Sequence, residues 1–258
     1  MKILVCIKQV PDMASRFKVN GEGIWYDEID LAFRMNEYDE YAVEQAVQLK
    51  EQSGNAPDVT VLSIGPDRVV ETIKKALAMG CDRGVHIKDD ASFRKDPWQI
   101  ASAIAGFSRD KNFDLIFFGL QSQDRGSGQV GAIVADILGI PCATTVVGFA
   151  FADGVITAKR ELEGGVKAVV KLKLPALITC QLGLNTPRYP TLPNIMKAKK
   201  KELVVISIAD VLQEKELTVT ASAYPRAKKG SGIVLEGDVN DMVERLLGIL
   251  KEKTKVVK

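Results

Sequence analysis

The segment Gly119-Leu120-Gln121-Ser122-Gln123-Asp124-Arg125-Gly126-Ser127-Gly128-Gln129-Val130-Gly131 carries the strongest chemical signal in the sequence. It sits where an apolar, strand-like run ends and a helical pattern begins. Successive backbone N–H groups at a helix start form an anion site, and glycines let phosphate oxygens approach the main chain. The chemistry indicated is phosphate or nucleotide binding, with a merely flexible loop as the plain alternative. Gly126, Gly128 and Gly131 satisfy G-x-G-x-x-G literally. They belong, however, to the fourth strand–helix unit, and a polar insertion separates them from the strand, so the pattern is not the dinucleotide fingerprint.

Other candidates carry less. Asp27, Glu28 and Asp30 lack the regular spacing of a metal loop and read as solvated acids, so no metal site is expected. The sole histidine, His86, excludes a His-rich metal centre, and at a strand end it reads as structural or solvated rather than catalytic. Cys6, Cys81, Cys142 and Cys180 contain no C-x-x-C pair, which excludes a zinc ribbon and a redox motif and leaves small buried hydrophobes. The basic run Lys197-Ala198-Lys199-Lys200-Lys201 has no interleaved aromatics and reads as solvated or partner-facing, not as a nucleic-acid platform. Trp25 and Trp98 are isolated, which assigns them core or surface roles. No nucleophile or acid/base pair emerges, so no catalytic residue is expected.

The elements that must position the glycine segment alternate between strand and helix. Lys2–Lys8, Val59–Ile64, Gly84–Lys88 and Phe113–Phe118 are short apolar runs of the kind buried in a parallel sheet. Between and after them lie helical patterns. The first starts near Asn36, a candidate N-cap, and the second runs from about Arg68 to Gly80. The third starts at Asp96-Pro97, and the fourth carries Val130, Ile133, Val134, Ile137 and Leu138 and stops at Gly139. Beyond Pro141, Thr144–Phe151, Val155–Glu161 and Val166–Leu174 predict an appended β-hairpin region, and Ala176–Cys180 a further buried strand. From Asn185 the chain is Pro-rich and irregular. A short helix near Ile208–Gln213, an extended Leu217–Ser222, a Gly-rich connection and an amphipathic helix with Val239, Met242, Val243, Leu246, Leu247 and Leu250 follow.

The predicted fold is therefore α/β: three layers, α/β/α, around a mostly parallel, Rossmann-like sheet, with an appended β-hairpin and a C-terminal arm. With 258 residues, 46% apolar, 26% charged and a net charge of +2, the composition predicts a soluble globular protein. It contains no apolar run near the ~20 residues of a membrane span and no charge excess for nucleic acid. The first eight residues show no secretory pattern, and the expected compartment is cytoplasmic.

The segment Leu184-Asn185-Thr186-Pro187-Arg188-Tyr189-Pro190-Thr191-Leu192-Pro193-Asn194-Ile195-Met196-Lys197-Ala198-Lys199-Lys200 closely resembles the signature of the electron transfer flavoprotein beta subunit family. Lys8-Gln9-Val10-Pro11-Asp12, Met35-Asn36 through Ala42–Ala46, Ala76–Gly84, the Gly119 segment and Arg160–Gly165 fall where that family has its motifs. The likeness runs from the first strand to about Lys201.

The resemblance implies a heterodimer whose alpha subunit shares the redox FAD. This chain would be the static half, an electron carrier subunit and not an enzyme. It would take electrons from acyl-CoA dehydrogenase-type flavoenzymes to a quinone oxidoreductase or similar acceptor. By position, the family's nucleotide contacts carry over to Cys6, Asn36, Tyr38, Asp39, Ile64, Gly119, Gln121, Ser122, Asp124, Gly126, Ser127, Gly128, Gln129 and Val130. The partner contacts carry over to Glu161, which pairs with an arginine of the flavin domain, and to Pro190, Thr191, Leu192, Pro193, Asn194, Ile195 and Met196, with Leu192 as the anchor. Residues 1–200 would form the adenine-nucleotide-binding domain, including the recognition loop 185–200, and residues 201–258 an arm packing on the alpha subunit. The pocket would hold AMP, or a second FAD as in electron-bifurcating relatives. The loop has the shorter length of those relatives, yet Gly126 stands where they have Asp, Ser127 replaces their Thr and Glu37 replaces the usual Pro after Asn36, and this incomplete pattern favours AMP. A stand-alone nucleotide-binding hydrolase or ligase is the reading from another class, and a pure interaction module without nucleotide is the third.

Overall fold

The structure is a computed structural model describing residues 1–53, 57–225, 230 and 232–254. The chain divides into two compact units, Met1–Ala223 and Tyr224–Lys258. In the first, β1 (Lys2–Cys6) is followed by a two-stranded ribbon, β2 (Gln9–Pro11) and β3 (Phe33–Met35). There follow α1 (Glu37–Gln52), β4 (Asp58–Gly65), α2 (Val69–Met79), β5 (Arg83–Lys88), α3 (Pro97–Ser108), β6 (Leu115–Gly119) and α4 (Val130–Leu138). Next come β7 (Cys142–Ala152), β8 (Val155–Glu161), β9 (Lys167–Lys173), β10 (Ala176–Cys180), α5 (Leu192–Ala198) and β11 (Leu203–Ser207). The second unit contributes α6 (Val239–Lys253). No helix among the described residues is long and apolar enough to cross a membrane.

Nine strands form one sheet in the order β11-β5-β4-β1-β6-β10-β7-β8-β9. The strands from β11 to β7 are parallel, and β7, β8 and β9 form an antiparallel meander. This is the mostly parallel α/β architecture expected. The alternation of a strand sends Ile3 and Val5 to one face and Leu4 and Cys6 to the other. The first face packs under α1 and α2 through Val43, Val47, Ile73 and Leu77. The second packs under α3 and α4 through Ile104, Phe107 and Val134. Because the chain leaves β1 for β4 and β5 on one side and returns to β6 on the other, a crevice opens at the carboxyl ends of β1, β4 and β6.

Several predicted caps are realised. Asp96 accepts from the Gln99 amide at 2.8 Å, and Gly139 ends α4 in the left-handed region at φ 67°. Asn36 occupies the N-cap position of α1, yet its side chain makes no cap hydrogen bond and is used elsewhere. One expectation fails: the helix near Ile208–Gln213 shortens to one 3-10 turn at Ile208–Asp210. Leu217–Ser222 pairs with no strand, and Asp96 accepts from the Leu217 and Thr218 amides at 2.7 and 2.9 Å. Three elements were not foreseen: the β2–β3 ribbon, α5 and β11, which adds the sheet's last strand beside β5. The Gly-rich connection before α6 falls partly on residues 226–229 and 231, outside the described residues.

Phe117 is fully buried in β6 and meets Phe149 edge-to-face with ring centroids 5.5 Å apart. Phe117→Ala is expected to cost about 3–5 kcal/mol of unfolding free energy, read from the urea midpoint. A loss below about 1 kcal/mol would mean that this face of the core is not packed as described.

Candidate functional site

The crevice is a cleft with about 1200 Å³ of open space, its mouth included. Cys6, Ile64 and Gly119 reach it from the ends of β1, β4 and β6, and Asn36 and Asp39 from the start of α1. Gln121, Ser122, Asp124, Ser127, Gly128, Gln129 and Val130 line it from the glycine segment. Of the fourteen expected nucleotide contacts, Tyr38 and Gly126 do not line the cleft. The Tyr38 hydroxyl instead receives the Gln121 side-chain amide at 3.3 Å. Gly126 closes a turn with its N–H on the Ser122 carbonyl at 2.8 Å.

Two residues of α1 hold the cleft together. Asp39 is buried, and its two oxygens accept from the main-chain amides of Lys8 at 2.7 Å and Gly119 at 3.1 Å. A Cβ on residue 119 would stand 2.2 Å from the Asp39 carboxylate and 2.7 Å from the Tyr38 Cβ, so only glycine permits this approach. Asn36 donates to the Gln121 carbonyl at 2.9 Å and accepts from the Gln123 amide at 3.0 Å. The sequence reading treated Asn36 and Asp39 as ligand contacts. Their hydrogen bonds within the chain staple the glycine segment and the end of β1 to the start of α1.

At the far end of the segment Gly128 is left-handed, φ 62°, and α4 begins at Val130 with no side-chain cap on its first turn. Uncapped first-turn N–H groups and the positive end of the helix dipole make this rim favourable for an anion. The acid and cation at the rim neutralise each other: Lys8 Nζ lies 2.7 Å from both oxygens of Asp124. Burial draws the Lys8 ammonium below its ordinary pKa, against the opposing pull of Asp124. Burial pushes the Cys6 thiol well up, which leaves it a poor nucleophile. His86 is buried and donates from Nε2 to the Gly65 carbonyl at 2.8 Å, a structural role.

The opposite wall was missed. Trp25, read as core or surface, lines the cleft with Tyr26 and Phe93, and the Arg125 guanidinium lies 4.6 Å from the Trp25 ring centroid. Arg125 is held there by donating to the carbonyls of Lys95, at 3.0 Å, and Phe93. Gln9 also lines the cleft and donates 2.9 Å bonds to the Arg68 carbonyl and to Thr72 Oγ1. Its Oε1 is buried away from the cleft surface. An uncapped helix start and an aromatic wall together fit a planar, anionic ligand such as a nucleotide. The sequence signal available was a Trp-Tyr pair in a long polar loop.

The expected partner contacts fall into two places. Glu161 ends β8 and accepts from the Gln181 side-chain amide at 3.3 Å. Pro190 is half-buried, whereas residues 191–197 are exposed, Leu192 at 78% and Met196 at 62%. Thr191 caps α5 by accepting from the Asn194 amide, and Pro193 sits in the first turn, where its missing N–H costs nothing.

Burial pushes the Asp39 carboxyl up to about 7 although its two amide donors favour the charge. Folded, the group then holds its proton through a pH range in which the unfolded chain has lost it. Its contribution to stability is full at acid pH, declines as pH rises toward 7 and is constant above. The melting-temperature difference between wild type and Asp39→Asn is therefore expected to move against wild type from pH 5 to pH 8. A difference that stays constant would show Asp39 ionised throughout.

A family model described as the Electron transfer flavoprotein domain matches residues 24–211. The chain is similar to the electron transfer flavoprotein subunit beta of Bacillus subtilis (strain 168), 36% identical over 263 residues and covering 100% of both chains. It is similar to that of Methylophilus methylotrophus, 33% identical over 260 residues and 98% of each chain. That of Mus musculus is 34% identical over 251 residues, 95% of this chain and 96% of the relative. Likeness at this level, extending through the cleft, the glycine segment and α5 alike, makes the chain a member of the electron transfer flavoprotein subunit beta family.

Proposed function

We propose that this chain is the static half of a heterodimeric electron carrier, holding AMP in its cleft and docking the flavoenzymes that deliver electrons. The observation that carries the reading is the cleft at the carboxyl ends of β1, β4 and β6, with an uncapped helix start at its rim and an aromatic wall formed by Trp25, Tyr26 and Phe93. Residues 127–130 and the first turn of α4 would receive the phosphate, and the strand ends at Cys6 and Ile64 the nucleoside. The FAD shared with an alpha subunit supplies the redox chemistry when bound. This chain contributes no acid/base pair to it. Its work is to orient, to dock and to exclude water.

The departures at Glu37, Gly126 and Ser127 support AMP over a second FAD in this cleft. The exposed apolar residues of α5 support docking of an acyl-CoA dehydrogenase, with a quinone oxidoreductase or equivalent acceptor downstream. An alpha-subunit partner for the 201–258 arm is supported by α6, whose Val239, Val243, Leu246 and Leu247 are all exposed. Glu161 would meet an arginine of the flavin domain. Free cysteines at positions 6, 81, 142 and 180 support a reducing compartment, the cytoplasm.

Acid extraction of the purified heterodimer followed by chromatography is expected to return one FAD and one AMP per complex. Two FAD and no AMP would replace the AMP assignment, and no nucleotide beyond the shared FAD would sink the cleft reading. Gly128→Val places a branched side chain at φ 62° in the cradle and is expected to lower AMP occupancy about tenfold. Gly154→Val, equally strained at φ 75° in the β7–β8 turn, controls for backbone strain, and an equal loss in both variants would refute a direct clash with AMP. Leu192→Ala is expected to raise the KM for the reduced dehydrogenase about tenfold while heterodimer yield is unchanged. An unaltered KM would remove the docking assignment.

A further inference from the structure

A seven-residue helix is too short to hold itself in water. Helix α5 nonetheless stands as a formed turn with all but Ala198 exposed. What holds it lies outside it. On the N-terminal side, Arg188 donates from Nε and Nη2 to the two oxygens of Glu44 at 2.8 and 3.0 Å. It donates from Nη1 and Nη2 to Glu51 at 2.6 and 2.9 Å. The Arg188 main-chain amide adds a bond to Glu44 at 3.1 Å, and Asn185 donates to the Tyr41 carbonyl at 3.0 Å. On the C-terminal side, Lys201 Nζ donates to the carbonyls of Leu77, at 2.9 Å, and Cys81 at the end of α2.

The Glu44 side chain is only 4% exposed while Arg188 is 33% exposed, so this pairing is shielded from water on the Glu44 side, whereas Glu51, 55% exposed, pairs at the surface. A guanidinium is a planar fork that can engage two carboxylates at fixed angles, which an ammonium cannot do. The arrangement is a strap fastened at both ends, with the exposed apolar residues between the fastenings.

We propose that Arg188 is the positioning residue of the docking helix: by bridging Glu44 and Glu51 of α1 it holds α5 in one orientation before any partner arrives. The proposal rests on the docking reading given above. Preorganisation of this kind removes an ordering cost from association, so it acts on affinity and leaves electron transfer within the docked complex unchanged. Arg188 does not line the cleft, so nucleotide content does not depend on it.

The test uses the purified heterodimer with an acyl-CoA dehydrogenase reduced by its own substrate. Arg188→Lys keeps the charge and loses the fork. It is expected to raise KM about tenfold at unchanged kcat, with AMP content intact and amide hydrogen exchange across residues 192–198 accelerated about tenfold. The paired variant Glu44→Gln with Arg188→Gln, which leaves no unpaired buried charge, is expected to do the same and guards against misfolding of a single variant. If Leu192→Ala raises KM while both Arg188 variants leave KM and exchange unchanged, the Arg188 role is overturned and the docking reading stands. A fall in kcat at unchanged KM overturns it as well. If Leu192→Ala itself leaves KM unchanged, docking by α5 is wrong and the Arg188 role falls with it.

Discussion

A carboxylate buried without donors costs several kcal/mol, and most of the cleft can be understood as the way Asp39 escapes that cost. Its oxygens take the main-chain amides that follow β1 and end β6. Hydrogen bonds to a charged group contribute about 1.5–3 kcal/mol each and offset part of its burial, and the remainder shows in the carboxyl pushed up to about 7. Once α1 starts there, Asn36 is within reach of residues 121–123, and the glycine segment is drawn across the strand ends. The turn at Gly126 and Gly128 then delivers α4 with its first N–H groups uncapped. Residue 119 has no Cβ because the carboxylate occupies that space.

The cations around the cleft are already engaged. Lys8 pairs with Asp124, Arg68 with Glu28 and Lys95 with Asp89, while Arg125 spends its donors on two carbonyls. An anion entering the cleft therefore meets oriented main chain before it meets a free ammonium. Main-chain dipoles are fixed by the fold and need no side-chain rotamers to be ordered on binding.

Legibility from sequence followed the range of the interactions. The parallel strands and the helices α1 to α4 announce themselves through local periodicity and through end signals such as Asp96-Pro97 and Gly139, and they appear within a few residues of expectation. Strand β11 did carry a local mark, the largely β-branched run Leu203-Val204-Val205-Ile206, overlooked because it follows the basic run directly; β5 offers it an open edge. The extended look of Leu217–Ser222 reflects side-chain alternation, yet a single distant carboxylate, Asp96, decides what its backbone does. In the cleft, the glycine segment was readable because glycines at a strand-to-helix junction have few other uses. Trp25 and Gln9 were not, since their roles depend on a long loop folding back beside Arg68 and Arg125. Asn36 and Asp39 were found for their place in the cleft, but not for the hydrogen bonds by which they staple it within the chain. Spacing reveals that a polar side chain sits at a helix start, but not whether its partner is a ligand or a neighbouring strand.

Helix α1 carries Asp39 at one end and Glu44 and Glu51 farther along, so one rigid rod is fastened both to the cleft and to the strap that bears α5. At 1.5 Å per residue, those two glutamates lie about 8 and about 18 Å along the axis from Asp39, all within one continuous run of backbone hydrogen bonds. The helix thus acts as a gauge between the cleft and α5. Side chains at either end can be exchanged one at a time, but a single inserted or deleted residue between them would swing one fastening about 100° around the axis relative to the other. The length of this interval is therefore a stricter requirement than the identity of most residues within it.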